Sequence, residues 1–441
     1  MKKTPLVILA ALLLFTTACS SGMGPNESPT DIAYHPETDS PYSFNNRALY
    51  CTIAQVETGY YFFLENMLMY AEDDIMEPIP VCAKPNCLHH ESKKKEDMAN
   101  CNAFFFATIA SDVFYYDSEL YVFHRWYPTT SLFDPSEYRM CLTRISPDGS
   151  RRQTILELDF GVIGETILHR GVFYLATQSV NEQGKTLGQL WAYPLHEPKQ
   201  EPKLLYQTEE LDFTHNVFTH MYAYGNYLYL GEYLTANHHG SVYNAYQLRS
   251  LRILDLTTDE WIVSEVPEGY TFGGSAIAGG KLVREYTPIG VTNALAADGT
   301  KPDLAGPLLI SDLDGSNVEQ ISFQAWGRMS ADESYIYIQD PIYSADGKTS
   351  VMNDSLRFYD CQMNPVDELP LDKLAYNEKL ITLTVFATQG EKILLHATHG
   401  GENSTNTLYY INRSEIGSGN ITPKLFHRYS SRAYSIANRN G

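Results

Sequence analysis

The stretch TGYYFFLE, residues 58–65, decides the fold, because the chain keeps returning to it. An aromatic or aliphatic run after a polar turn comes again as SDVFYYD (111–117), RGVFYLA (170–176), YGNYLYLG (224–231), GGKLVREY (279–286), DESYIYIQ (332–339) and QGEKILLHA (389–397). The third residues of these runs are Phe62, Tyr115, Tyr174, Tyr229, Val283, Tyr337 and Leu394, at intervals of 53, 59, 55, 54, 54 and 57. A fixed period over so many copies marks a repeat architecture.

A second element follows most runs. LTRISPDGS from Leu142, LRILDLTTDEW from Leu251, LLISDLDGSN from Leu308, LRFYDCQMN from Leu356 and LYYINRSE from Leu408 alternate apolar and polar residues and end in Asp, Gly or Asn turns. Period-two alternation bounded by turn residues is the mark of half-buried antiparallel strands. PKLLYQ (202–207) and VEQIS (318–322) add a further strand after, and HMYAYG (220–225) one before. Four short strands per unit, repeated without helical segments, predict an all-β chain folded as a β-propeller of seven four-stranded blades. The weaker runs at Val283 and Leu394 leave six or eight blades as alternatives. A β-helix has a much shorter period, and a sandwich of this size does not keep so even a spacing.

The ends and the composition bear on location. Lys2 and Lys3 precede an apolar run from Leu6 to Phe15 and the small residues before Cys19. That run is too short to span a bilayer, which takes ~20 apolar residues, and reads as a secretory signal over residues 1–18. TTAC at 16–19 matches a bacterial lipobox with Thr16 in the usual Leu position, so Cys19 is the expected lipidation site. Two acyl chains anchor stably where one does not. Residues 19–46, with Pro, Ser, Asp and Glu and no apolar periodicity, read as the lipidated end and a flexible tether. The propeller is then 47–441, on the extracytoplasmic face of the cell membrane. With 53 acidic and 32 basic residues the net charge is -21, and loss of Lys2 and Lys3 takes it to -23. Such a surface repels nucleic acid and leaves glycans, peptides, cations or envelope proteins as partners.

The lipobox, followed by TGYYFFLENMLMYAEDDIMEPIPVCAKPNCLHHE running into CNAF, resembles a group of lipoproteins of Gram-positive anaerobes that carry a β-propeller of unknown function. In that group a C-x-K-P-x-C-x-H segment followed by CNA closes the first blade. The resemblance implies location and fold and brings neither substrate nor catalytic residues. More distantly, the chain resembles the propellers of low-density-lipoprotein-receptor-type proteins.

Cys82, Cys87, His89 and Cys101 form a C-x4-C-x-H-x11-C pattern, the ligand set of a tetrahedral zinc site. Pro85 and Asn86 suit a turn that folds Cys87 back on Cys82, and Lys84, Lys93, Lys94 and Lys95 favour thiolates. Spacing alone leaves open a disulfide between two of the three cysteines, sensible in an exported chain, or free thiols. Four protein ligands would make the zinc structural, because catalytic zinc keeps a position for water. His90 could replace His89. Cys51, Cys141 and Cys361 read as buried small residues.

No G-x-S-x-G, H-E-x-x-H or P-loop motif occurs. His396 and His399 read as core or surface residues of a strand, and His238 and His239 as solvated. The Asp148, Asp312, Asp314 and Asp346 turns lack a complete calcium-ligand series and read as hairpins. Trp126, Tyr127 and Phe133 could stack on sugar rings or peptide side chains, but packing between neighbouring blades is the favoured reading for each. The expected function is a surface propeller that binds a ligand or partner without catalysis. The alternative is a glycan-active hydrolase or lyase with paired carboxylates in the axial funnel.

Overall fold

Seven antiparallel sheets of four strands each, built from consecutive strands in every blade but the sixth, make a seven-bladed β-propeller. The blades occupy residues 54–80, 112–158, 162–207, 218–263, 270–323, 328–370 and 380–430. Blade 6 carries an extra two-stranded ribbon, Pro341–Tyr343 with Ser350–Met352. This computed structural model describes His35, Thr38 and Asp39, then residues 53–430 apart from 65, 90–99, 106–111, 127–138, 159–161, 197–200, 212–216, 238–245, 265, 290–305, 324–327, 340, 344–349, 353–354, 375–379, 388–389 and 400–404. Among the described residues helix is limited to short 3-10 turns such as Leu371–Leu374, and no helix is long and apolar enough to cross a membrane.

First strands of successive blades touch one another (blades 1 to 4, and 5 with 6), which places them around the axis. The second strands come next outward and lie between two neighbouring blades. Both of their faces are therefore covered, and the strand Gly59–Leu64 is buried at every position. A strand covered on two sides needs a continuous apolar run, which is why the repeat shows as YYFFL and VFYLA and not as alternation. The fourth strands Lys203–Gln207, Glu260–Val263 and Glu319–Phe323 lie at the rim and are mostly exposed or half-buried, with the charged and polar residues that protect an edge.

The repeat is displaced in one blade. Six of the seven marker residues sit in second strands, but Tyr115 lies in the first strand of blade 2, Asp112–Tyr116. Its counterpart is the LYVF segment of Glu119–Trp126, where Leu120, Val122 and Phe123 are buried. Both strands are aromatic, and the one nearer the axis has the stronger run.

The core is divided among the blade interfaces. One cluster joins blades 7, 1 and 2 through residues such as Leu394, Phe62 and Val122, and another joins blades 3, 4 and 5 through Tyr174, Tyr229 and Phe272. Tyrosine suits these interfaces, since its ring fills the space and its hydroxyl reaches a polar partner in the next blade. Tyr222 pairs with Ser275 Oγ at 2.7 Å, and Tyr229 donates to Leu313 O at 2.9 Å. The ring closes by side-chain contact: Phe62 meets Phe426 at 5.4 Å, and Lys392 Nζ reaches Asp73 Oδ1 at 3.0 Å. Among the described residues no strand is exchanged between blades 7 and 1.

Asp39, from the stretch read as a tether, is seated on the ring. Its buried carboxylate takes two bonds from Arg170, Nε to Oδ1 at 2.7 Å and Nη2 to Oδ2 at 3.1 Å, and the Arg170 N–H donates to Thr38 O at 2.8 Å. Arg170 also donates to Asn226 Oδ1 at 2.7 Å, so the contact ties the inner turns of blades 3 and 4.

Candidate metal centre

Blade 1 has an incomplete outer strand. Its fourth strand is only Ile79–Pro80, paired with Tyr70 and Met69 of the third strand Met67–Glu72. The rest of that edge is covered by chain returning twenty residues later. Phe104 bridges to Met67, Ala103 O accepts from Leu68 N at 2.8 Å, and Phe105 N donates to Asn66 O at 2.9 Å. The two halves of this broken edge carry the cysteines: Cys82 follows the first half, and Cys101 precedes the second.

Between them, Lys84 to Cys87 form a turn closed by Cys87 N donating to Lys84 O at 3.3 Å. Pro85 stands second in it and Asn86, with φ +59°, third, as a type II turn requires. This turn brings Cys87 back beside Cys82, as expected from Pro85 and Asn86. The ligand atoms of Cys82, Cys87, His89 and Cys101 lie within 4.8 Å of one another. Tetrahedral zinc bonded to sulfur at 2.3 Å sets its ligands ~3.8 Å apart, so small shifts suffice to close such a shell. Cys82, Cys87 and Cys101 are all free thiols. Cys101 Sγ stands 3.5 Å from His89 Nδ1. A group of three thiols and an imidazole can hold a metal ion.

The thiols are electrostatically unlike. Burial pushes Cys101 up to about 12, assisted by the Cys87 and Cys82 thiols. Burial also raises Cys82, but donation from the Lys84 and Asn102 backbone and from the other two thiols outweighs it and holds Cys82 below the ordinary thiol range. Metal binding to such a group releases protons and weakens as pH falls.

Arg152, on the fourth strand of blade 2, was not legible as part of this site. Its Nη1 donates to Phe104 O at 2.5 Å and lies 3.4 and 3.3 Å from Cys101 O and Asn102 O, while its guanidinium covers the Phe105 ring at 3.9 Å. Burial pulls it down to about 10, against the pull of Cys101. Gly149, at the tip of the blade 2 hairpin, completes the docking. Its carbonyl accepts from Asn102 Nδ2 at 2.7 Å, its φ is +69°, and a Cβ there would meet Val81 O at 2.3 Å. The loop that carries the cluster is therefore seated on blade 2.

The other candidates fall elsewhere. His396 and His399 are buried in the second strand of blade 7, and burial, with the nearby His399, lowers His396 to about 4. Asp148 accepts from Ser146 Oγ and Ser150 N, and Asp314 from Ser316 N and Oγ, so both carboxylates close hairpins. Cys141 is buried in blade 2, and Cys361 is half-buried against Gly279 at the rim of blade 6. Cys19, Cys51, His90, Lys93, Lys94, Lys95, Tyr127, Phe133, His238, His239, Asp346 and the side chain of Trp126 lie outside the described residues.

No protein-family model matches the chain, and no curated protein matches it in sequence. Among solved structures it is similar to the tricorn protease (TM-score 0.50, 10% identity, 92% of this chain and 36% of that one). It is also similar to puromycin hydrolase (0.49, 12%, 89% and 57%) and to the Pyrococcus horikoshii acylaminoacyl peptidase (0.41, 9%, 75% and 54%). The chain spans between about a third and somewhat over half of these proteins, and at such identities the likeness shows the fold alone. The same ring occurs in the tricorn protease, so the expectation of a propeller without catalysis, and its glycan-active alternative, is not carried by the fold and is withdrawn. The expectation leaned on missing catalytic motifs. The match covers 36% of the tricorn chain, so the motif content of the ring alone does not decide for or against catalysis.

Proposed function

We propose that this chain is a zinc-braced propeller of a peptide-hydrolysing system at the cell surface. Cys82, Cys87, His89 and Cys101 hold one zinc ion as a closed structural shell, and the carrying observation is the convergence of their four ligand atoms within 4.8 Å. When bound, zinc cross-links the two halves of the broken edge strand. The chain's own groups do the rest: Pro85 and Asn86 set the turn, and Arg152 and Gly149 hold the loop on blade 2. The purified chain is expected to contain one zinc per molecule by plasma mass spectrometry, and none after Cys87→Ser. An intact mass two units below the reduced form would end this reading.

The peptide-hydrolysis part rests on the match to the tricorn protease over 92% of the chain. Tagged chain isolated from its own membranes should bring with it hydrolysis of fluorogenic peptides above that of an untagged control; equal rates would overturn the assignment. Location follows from Cys19 as lipid anchor, twenty residues before the Asp39 foothold. Labelled palmitate should enter the wild-type chain and not Cys19→Ser.

A further inference from the structure

Beside the cysteine cluster, between the blade 1 loop and the blade 2 hairpin, lies a cavity of about 520 Å³. That is within the ~300 to 1,000 Å³ usual for small-molecule sites. Lys84 and Asn102 line one side, and Arg144, Ser146, Ser150, Arg151 and Arg152 line the other, with Glu119 at the edge. Among the described residues, four cations thus face one carboxylate, in a chain whose net charge is -21.

That carboxylate is already paired, since Glu119 Oε1 accepts from Arg151 Nη2 at 2.8 Å. Among the described residues the remaining cations meet neutral oxygens only. Lys84 Nζ donates to Asn100 O at 2.6 Å, and Arg144 Nη2 to Gln153 Oε1 at 3.1 Å. Arg152 is held by backbone carbonyls, as described above. An ammonium has three donors and a guanidinium five in a planar fork, so Lys84 and Arg144 retain N–H groups for another acceptor. Asn102 and Ser146 are buried, which makes the walls parts of the packed structure and not loose surface chains.

We propose that this cavity is a binding site for an oxyanion, either a phosphate group or the carboxylate of a peptide terminus. Guanidinium forks beside an ammonium recognise both groups through charge-assisted hydrogen bonds. The site is separate from the four metal ligands, although Lys84 and Asn102 come from the same loop.

Calorimetric titration of the full chain as purified tests this with inorganic phosphate, an N-acetylated dipeptide with a free carboxylate, and the same dipeptide as its amide. Saturable one-site binding is expected for at least one of the two anions and none for the amide; the anion that binds names the source. The Lys84→Gln, Arg144→Gln double variant, both sites being exposed, should weaken binding roughly tenfold or more. Arg139→Gln, an exposed arginine of the same blade that does not line the cavity, should leave it unchanged. No saturable binding of either anion, equal affinity in the double variant, binding of the amide as tight as the acid, or the same loss in Arg139→Gln would each overturn the proposal.

Discussion

Blades 1 and 4 solve the same problem with different means. In blade 4 the second strand, Tyr227–Asn237, runs for 11 residues and the third, Tyr246–Asp255, for 10, so the hydrogen-bond ladder holds the sheet together. Its interfaces add the stacked rings of Tyr222 and Tyr229, 4.6 Å apart, and a buried Glu232. That carboxylate takes Arg252 Nε at 2.5 Å and the blade 3 Tyr206 hydroxyl at 2.8 Å. Blade 1 has a fourth strand of two residues and borrows the rest of its edge from chain that has left the blade. Where the ladder is long, packing and one ion pair suffice. Where it is broken, the chain brings three thiols and an imidazole to the break.

On the proposed zinc shell, chelation should break blade 1 and leave blade 4 alone. With zinc at a thousandfold excess over its Kd, binding stabilises the folded state by about 4 kcal/mol. Chelation should remove that stabilisation in denaturant titrations, and amide exchange should rise at residues 66–82 and 101–105 but not at 218–263. Equal acceleration in both blades would erase the contrast. The matching lesion in blade 4 is Arg252→Met, which leaves Glu232 buried without its cation. A loss of about 3 kcal/mol is expected, with exchange rising at the junction of blades 3 and 4 and zinc content unchanged.

Gly149→Ala sharpens the comparison by attacking the seat of the loop and not its ligands. Positive φ alone costs a non-glycine residue about 1 to 3 kcal/mol, and the contact with Val81 adds to it. Urea midpoints and a faster loss of zinc to a chelating dye would report the change; an unaltered off-rate would show that the cluster closes without blade 2. The smallest effect belongs to Tyr222→Phe, which removes one inter-blade hydrogen bond from a ring whose stacking is kept. A loss of about 1 kcal/mol is expected, measurable as a small shift in Tm with blade 1 exchange unchanged.

Legibility followed the reach of the interactions. Runs such as YYFFL could be read because a second strand is covered on both faces wherever it occurs, so burial writes the same pattern into each unit. Tyr115 misled because two adjacent strands of blade 2 are aromatic, and composition does not tell inner from second. The turn at Pro85 and Asn86 was readable for a local reason, a ring that sets φ followed by a residue that tolerates the left-handed region. Arg152 was not, because a lone arginine in an alternating strand looks like any solvated cation until Phe105 and three carbonyls are folded over it. Asp39 was hidden likewise: within a polar stretch nothing local distinguishes the carboxylate that will meet Arg170.

By itself the amino-acid order determined the period, the β character and the ligand types available near residue 90, since each is written in short local runs; the folded ring settled the blade number at seven. Which cysteines converge, which hairpin seats them, and which cations gather in an acidic molecule were decided only by the folded ring. The deciding contacts are distant in sequence, as Asn102 to the Gly149 carbonyl 47 positions away shows, and their partners are set by how one blade packs on the next.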